Sequence, residues 1–200
     1  MSENLDPRNF ADYVPQYVPE PDPYEYRVGF PRRLGAYIID SLIMTLLVTI
    51  ALFATGKITE LLEAGREFAR FFNSEAINIV INSITPVVSV ITLVYFSSEL
   101  FVGASLGKLM LSIRIGSDDR YPAIFPKLLA RYVIKNIGVI TSLIAYAIST
   151  LSIDFAGDLI QIIVYIGFLF TIASRKQSFH DMLTATAVYY TYEIIEENNQ

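Results

Sequence analysis

Residues Leu34 to Ala54 read LGAYIIDSLIMTLLVTIALFA, a run with one charge, Asp40. At 1.5 Å per residue a helix of this length reaches about 31 Å, enough to cross the hydrocarbon core of a bilayer. Working outward, Ile77–Ser98 and Asn136–Ile153 contain no charge at all. Leu159–Ser174 is also uncharged but would reach only about 24 Å, so a fourth span must borrow Phe155–Gly157 or sit where the bilayer is thin. The spans are expected at about 34–54, 77–98, 133–153 and 155–174. The fold class that follows is an all-α integral membrane protein: a four-helix transmembrane bundle with an interfacial helix and a small cytoplasmic β-element.

Composition agrees, since 53% hydrophobic residues gathered in long runs differ from a scattered soluble core. With no cysteine, disulfides and thiolate metal sites are excluded, and a single histidine, His180, makes a histidine metal cluster implausible. No metal and no cofactor is expected. A net charge of −5 without any basic run argues against nucleic acid as a partner. The acidic, proline-rich start does not read as a cleavable signal peptide.

Three domains are expected. Residues 1–29 form an acidic Pro-rich cytoplasmic tail, read as disordered; its tyrosines rest at the interface or mark a docking peptide. Residues 30–192 form the transmembrane domain, and 193–200 a short acidic tail. Within the domain, Pro31 and Arg32-Arg33 open the first span. Lys57–Asn73 alternates apolar residues with charges at helical spacing, which predicts an amphipathic helix lying on the outer surface as a cap. Asn78, Asn82, Thr85 and Ser89 fall on one face of the second span, with Pro86 as a possible kink. Leu109–Ile115 alternates like a strand and ends at the turn Gly116-Ser117-Asp118-Asp119; Thr184–Tyr192 is its expected partner. Pro126 starts a helix running through Arg131 and Lys135 into the third span. Ser152–Asp158 is expected as a tight hairpin before the fourth.

Basic residues choose the orientation. Arg32, Arg33, the cluster Lys108–Lys135, and Arg175-Lys176 flank one side, whereas Ser152–Asp158 has none. The positive-inside rule therefore puts both termini in the cytoplasm of a cell (plasma or inner) membrane.

Three local patterns carry a resemblance. Arg33-Leu34-Gly35-Ala36-Tyr37-Ile38-Ile39-Asp40 sets an arginine and an aspartate seven residues apart. Gly103-Ala104-Ser105-Leu106-Gly107-Lys108 is a G-x-S-x-G-K loop before a strand. His180-Asp181 follows the last span and leads into a second strand. In this order they resemble the RDD family, over roughly residues 28–192, and the resemblance maps the name-giving residues onto Arg33, Asp40 and Asp181. Arg131 resembles an arginine often found before the family's third span. The resemblance implies a membrane protein, mostly bacterial in the family; some members are linked to sodium–proton exchange, others to partner proteins.

Two functional readings stand. In the first, the chain is a small cation/proton exchanger in which Asp40 binds protons or monovalent cations. Asn78, Asn82 and Thr85 would supply a polar lining, with Arg131, Lys135 or Arg33 as partners of the carboxylate. In the second, Asp40 sits in a fixed bridge and the protein is a non-catalytic scaffold or regulator for a partner protein, or a homo-oligomer. Asp181 is expected to cap backbone amides or pair with Arg114 or Arg131. The G-x-S-x-G match at Ser105 lacks the α/β context a nucleophile needs, so the loop reads as a turn and no enzyme is expected.

Overall fold

The computed structural model describes residues 24–70, 80–148 and 151–195. Helix α1 (Phe30–Ala54) starts with Pro31 in its first turn, where a missing N–H leaves no bond unmade. Its outer face, with Leu42, Leu46, Ile50 and Phe53, is exposed and apolar. The hydroxyls of Ser41, Thr45 and Thr49 donate back to carbonyls four residues earlier, so these three groups are satisfied within the helix. Among the described residues, three helices are long and apolar enough to cross a membrane, Phe30–Ala54, Asn82–Val102 and Phe155–Ile172, and a bent pair supplies a fourth crossing if counted as one span.

After α1, the amphipathic helix α2 (Ile58–Arg70) follows. A π-helical turn, Val80–Ile84, precedes Pro86 and runs into α3 (Thr85–Phe96), which α4 (Ser98–Val102) prolongs. The turn is physically reasonable, because a proline removes the regular hydrogen bond to the preceding turn and widening relieves the ring's clash. Helix α5 (Leu106–Met110) and strand β1 (Ile113–Ser117) come next, then α6 (Phe125–Lys135), α7 (Ile137–Ile148) and α8 (Leu151–Phe168). A short helix α9 (Phe179–Leu183) leads into β2 (Thr186–Tyr190). The strands pair antiparallel, Ile113 opposite Tyr190 and Ser117 opposite Thr186.

Several expectations need correction. Pro126 does start a helix, but it does not run straight into the third span: α6 and α7 meet at 68°. At the bend the Gln161 side chain of α8 bonds two backbone groups. Its Oε1 accepts from the Gly138 N–H at 3.0 Å and its amide donates to the Lys135 carbonyl at 3.0 Å. Ser152–Asp158 is not a hairpin connection but lies within α8. Leu109 and Met110 belong to α5, so the strand begins only at Ile113. Residues 24–29, assigned to the tail, are part of the folded unit. The Val28 N–H donates to the Val188 carbonyl, Arg27 bridges to Tyr189, and Arg120 stacks 3.7 Å over the Tyr26 ring. The free edge of β2 explains this, since its unpaired carbonyls need donors. Glu193, placed in the C-terminal tail, pairs with Arg120 at 2.6 Å. Residues 1–23 and 196–200 lie outside the described residues.

Glycines set the helix spacing. A Cβ at Gly157 of α8 would collide with Thr141 of α7, its Cβ at 2.5 Å and its hydroxyl closer still. Small residues at such a crossing let the two backbones approach, which is how helices associate where no hydrophobic drive exists between them.

Candidate functional site

At the end of the bundle nearest the sheet, five elements bring charged side chains together below the protein surface. Helix α1 contributes Arg33 and, two turns on, Asp40. The α3–α4 helix contributes Tyr95 and Glu99, four residues apart and so on one face. Ser105, Gly107 and Lys108 come from the loop and start of α5, Arg131 and Lys135 from α6, and His180 and Asp181 from α9.

Asp40 is buried and held by three neutral donors. The Tyr95 hydroxyl donates to Oδ1 at 2.6 Å, the Ser105 hydroxyl to Oδ2 at 2.6 Å, and the Gly107 N–H to Oδ1 at 2.7 Å. The loop can come this close because residue 107 is glycine. A Cβ there would sit 2.7 Å from Asp40 Oδ1 and closer still to the Ala36 carbonyl. Ser105, with its hydroxyl committed to Asp40 and itself fully buried, is placed as an anchor of α5 on α1.

The cations expected beside Asp40 are engaged elsewhere. Arg33 donates to the Val28 carbonyl at 2.9 Å, to the Lys176 carbonyl at 2.7 Å and to the Asp181 carboxylate. Arg131 is the centre of the cluster: it donates to Asp181 at 2.8 Å and to Glu99 at 3.3 Å. Lys108 and Lys135 both reach Glu99 Oε1, at 2.7 and 2.8 Å. Two carboxylates, each between two or more cations, thus tie α1, α4, α5, α6 and α9 together. Buried ions need such pairing, because each alone would carry a desolvation penalty of several kcal/mol.

His180 closes the cluster. Its Nε2 faces the Arg131 guanidinium at 3.2 Å and the Ser178 hydroxyl at 3.0 Å. Since a guanidinium only donates, Nε2 accepts and the proton belongs on Nδ1, which has no partner among the described residues. Burial first, and then the neighbouring cations against the pull of Asp181, push the His180 pKa down to about 3, so the ring is neutral. Asp181 is held well below the usual carboxylate range by Arg131 and Arg33, which outweigh its burial, and it also accepts from the Ser178 N–H as part of a capping box. Burial pushes the Lys108 ammonium down to about 7, with Glu99 pulling the other way.

The sequence-expected residues therefore divide. Arg33, Arg131, Lys135 and Asp181 are brought together; Asp40 lies beside them but outside their ion pairs. Arg114 is elsewhere, donating to the Val102 carbonyl at 2.6 Å. Asn82 and Thr85 do not line the site. Helix α3 runs antiparallel to α1 and meets Asp40 at Tyr95, so Asn82 stands about 20 Å further along the axis. Asn78 falls outside the described residues. Glu99 is not among the sequence-expected residues: it stands one residue past the uncharged run Ile77–Ser98, and a lone carboxylate at a span edge is its only sequence signal. Tyr95 carried none, being one aromatic among many.

A cavity of about 310 Å³ opens beside the cluster, lined by Arg33, Asp40, Lys108, Arg131 and Lys135 on its polar side. Ser178 and His180 also face it, and the rest of its wall is largely apolar, with Tyr37 of α1 and Tyr165 of α8.

The model of the RDD family matches residues 27–185, which contain every element of this cluster. No curated protein and no solved structure matches the chain.

Proposed function

The chain belongs to the RDD family, and for this member we propose a non-catalytic role: a membrane scaffold or regulator that holds a partner protein, with both termini in the cytoplasm. The observation that carries this is the saturation of the signature residues. Arg33 and Asp181 are paired with each other, and Asp40 is bound by three donors that fix a loop. These groups brace the ends of five helices, as fasteners do. Residues 1–23 and 196–200 then supply acidic segments for a partner.

A second reading, cation/proton exchange through Asp40, draws on the cavity that reaches it. The charge around that cavity opposes it. Arg33, Lys108, Arg131 and Lys135 share the wall with Asp40, and a monovalent cation entering there would face four like charges. Proteoliposomes carrying the protein, driven by a sodium or potassium gradient, separate the two readings. The scaffold reading expects no proton flux above empty vesicles at any pH from 6 to 9. Flux that vanishes in a folded Asp40→Asn variant would overturn it.

A further inference from the structure

The cavity beside the ion cluster combines two chemistries that a purely structural void does not need. On one side stand the ammonium groups of Lys108 and Lys135, with Arg131 behind them. Each ammonium has three donors, and each is seen to donate once, to the same oxygen of Glu99, at 2.7 and 2.8 Å. Sharing one oxygen bounds the separation of the two nitrogens at about 5.5 Å, close enough for one phosphate to accept from both. Lys135 also lies 3.8 Å over the Phe96 ring, which fixes its position without using a donor. Arg33, Lys108, Arg131 and Lys135 stand among three carboxylates, Asp40, Glu99 and Asp181, and all four of these basic side chains line the cavity. Of the carboxylates, only Asp40 lines the cavity, and it already accepts from Tyr95, Ser105 and Gly107.

On the other side the cavity leads out of the bundle. Tyr37 and Tyr165 both line it and are both more than half exposed, on the outer faces of α1 and α8. The opening is therefore lateral, between two apolar helices, and not only toward the sheet. A free inorganic anion needs no such apolar mouth, whereas an amphiphile with an anionic head does.

We infer that this cavity is a binding site for an anionic phospholipid of the surrounding leaflet, its phosphate held by Lys108 and Lys135 and its chains leaving between Tyr37 and Tyr165. The headgroup level suits it, because the cluster lies at the ends of the spans, where anionic lipids meet basic pockets between helices. The site stands whether or not the chain holds a partner protein, so it goes beyond the scaffold reading and survives its failure.

Native mass spectrometry of the detergent-purified full chain tests this, titrated with phosphatidylglycerol or with phosphatidylcholine of the same chains. The first phosphatidylglycerol should bind at least tenfold tighter than phosphatidylcholine. The preference should fall to within twofold in Lys108→Gln and also in Val164→Phe, which fills the cavity from α8 without touching a charge. Val164→Phe keeps the test decisive should Lys108→Gln fail to fold. Equal binding of the two lipids by the parent, or an undiminished preference in folded Val164→Phe, would overturn the proposal. So would displacement of the lipid by equimolar inorganic phosphate, which would mark the ligand as a free anion.

Discussion

Replacing Gly107 by alanine drives a methyl group into α1. The new Cβ stands 2.7 Å from Asp40 Oδ1 and nearer to the Ala36 carbonyl oxygen, where ordinary contact begins at 3.4 Å. The carbonyl belongs to the middle of a helix turn and cannot give way, so the loop must retreat by about 1 Å to restore ordinary contact. That stretches the 2.7 Å bond from the Gly107 N–H to Asp40 out of good hydrogen-bond range and strains the Ser105 bond beside it. A hydrogen bond to a buried charge contributes about 1.5–3 kcal/mol and overpacking costs about 1–3 kcal/mol, so the expected destabilisation is about 3–5 kcal/mol. Reversible unfolding of the detergent-solubilised protein, followed by circular dichroism against SDS mole fraction, gives the value. Asp40→Ala removes one of the two obstacles, so the double variant should be less unstable than the two singles together, by about 1 kcal/mol or more. A Gly107→Ala protein within about 0.5 kcal/mol of the parent would refute the close approach and, with it, the structural role given to Asp40.

Other substitutions test other parts of the cluster. Arg131→Lys keeps the charge but loses the fork that serves Asp181 and Glu99 together, and Arg131→Met leaves both short of a cation; about 2 and 3–5 kcal/mol are expected in the same unfolding assay. Acid should weaken the protein. Unfolded, His180 takes a proton near pH 6.5, while folded it resists until about 3, so its contribution is complete above pH 6.5 and drains away toward pH 3, by up to about 1.4 kcal/mol per unit. Asp181, depressed in the fold, adds loss of the same sign at the lower end. Melting temperatures from pH 8 to 4.5 should decline in the parent and be flatter in His180→Gln. At the α7–α8 crossing, Gly157→Ala should lower the melting temperature and Thr141→Ala should restore most of it, since the added methyl occupies the space of the threonine side chain; no rescue would mean that the helices are not limited by that contact.

Much of this architecture is legible in the chain because a bilayer imposes a one-dimensional rule. Length nearly without charge marks a crossing, and Leu34–Ala54 satisfies it everywhere but at Asp40. The amphipathic helix after α1 and the strand chemistry of Thr186–Tyr190 are equally local, written in spacings of 3.6 and 2. Asp40 could be picked out as a costly charge in apolar surroundings, and Arg33 and Asp181 by their resemblance to the family's motifs. Their partners could not. Whether Asp40 meets Arg131 or Tyr95 depends on which turn of α3 passes it, a matter of helix offset that no local pattern contains. The same holds for Glu99, whose role is created by three cations from two other elements. The bend at Asn136 is tolerable only because Gln161, some 25 residues later, returns to satisfy Gly138 and Lys135. Composition and spacing alone determined that this chain makes membrane-length helices and where its charges lie. Tertiary structure decided which charges neutralise one another, because pairing energy falls off within a few ångströms and only packing brings distant residues that near.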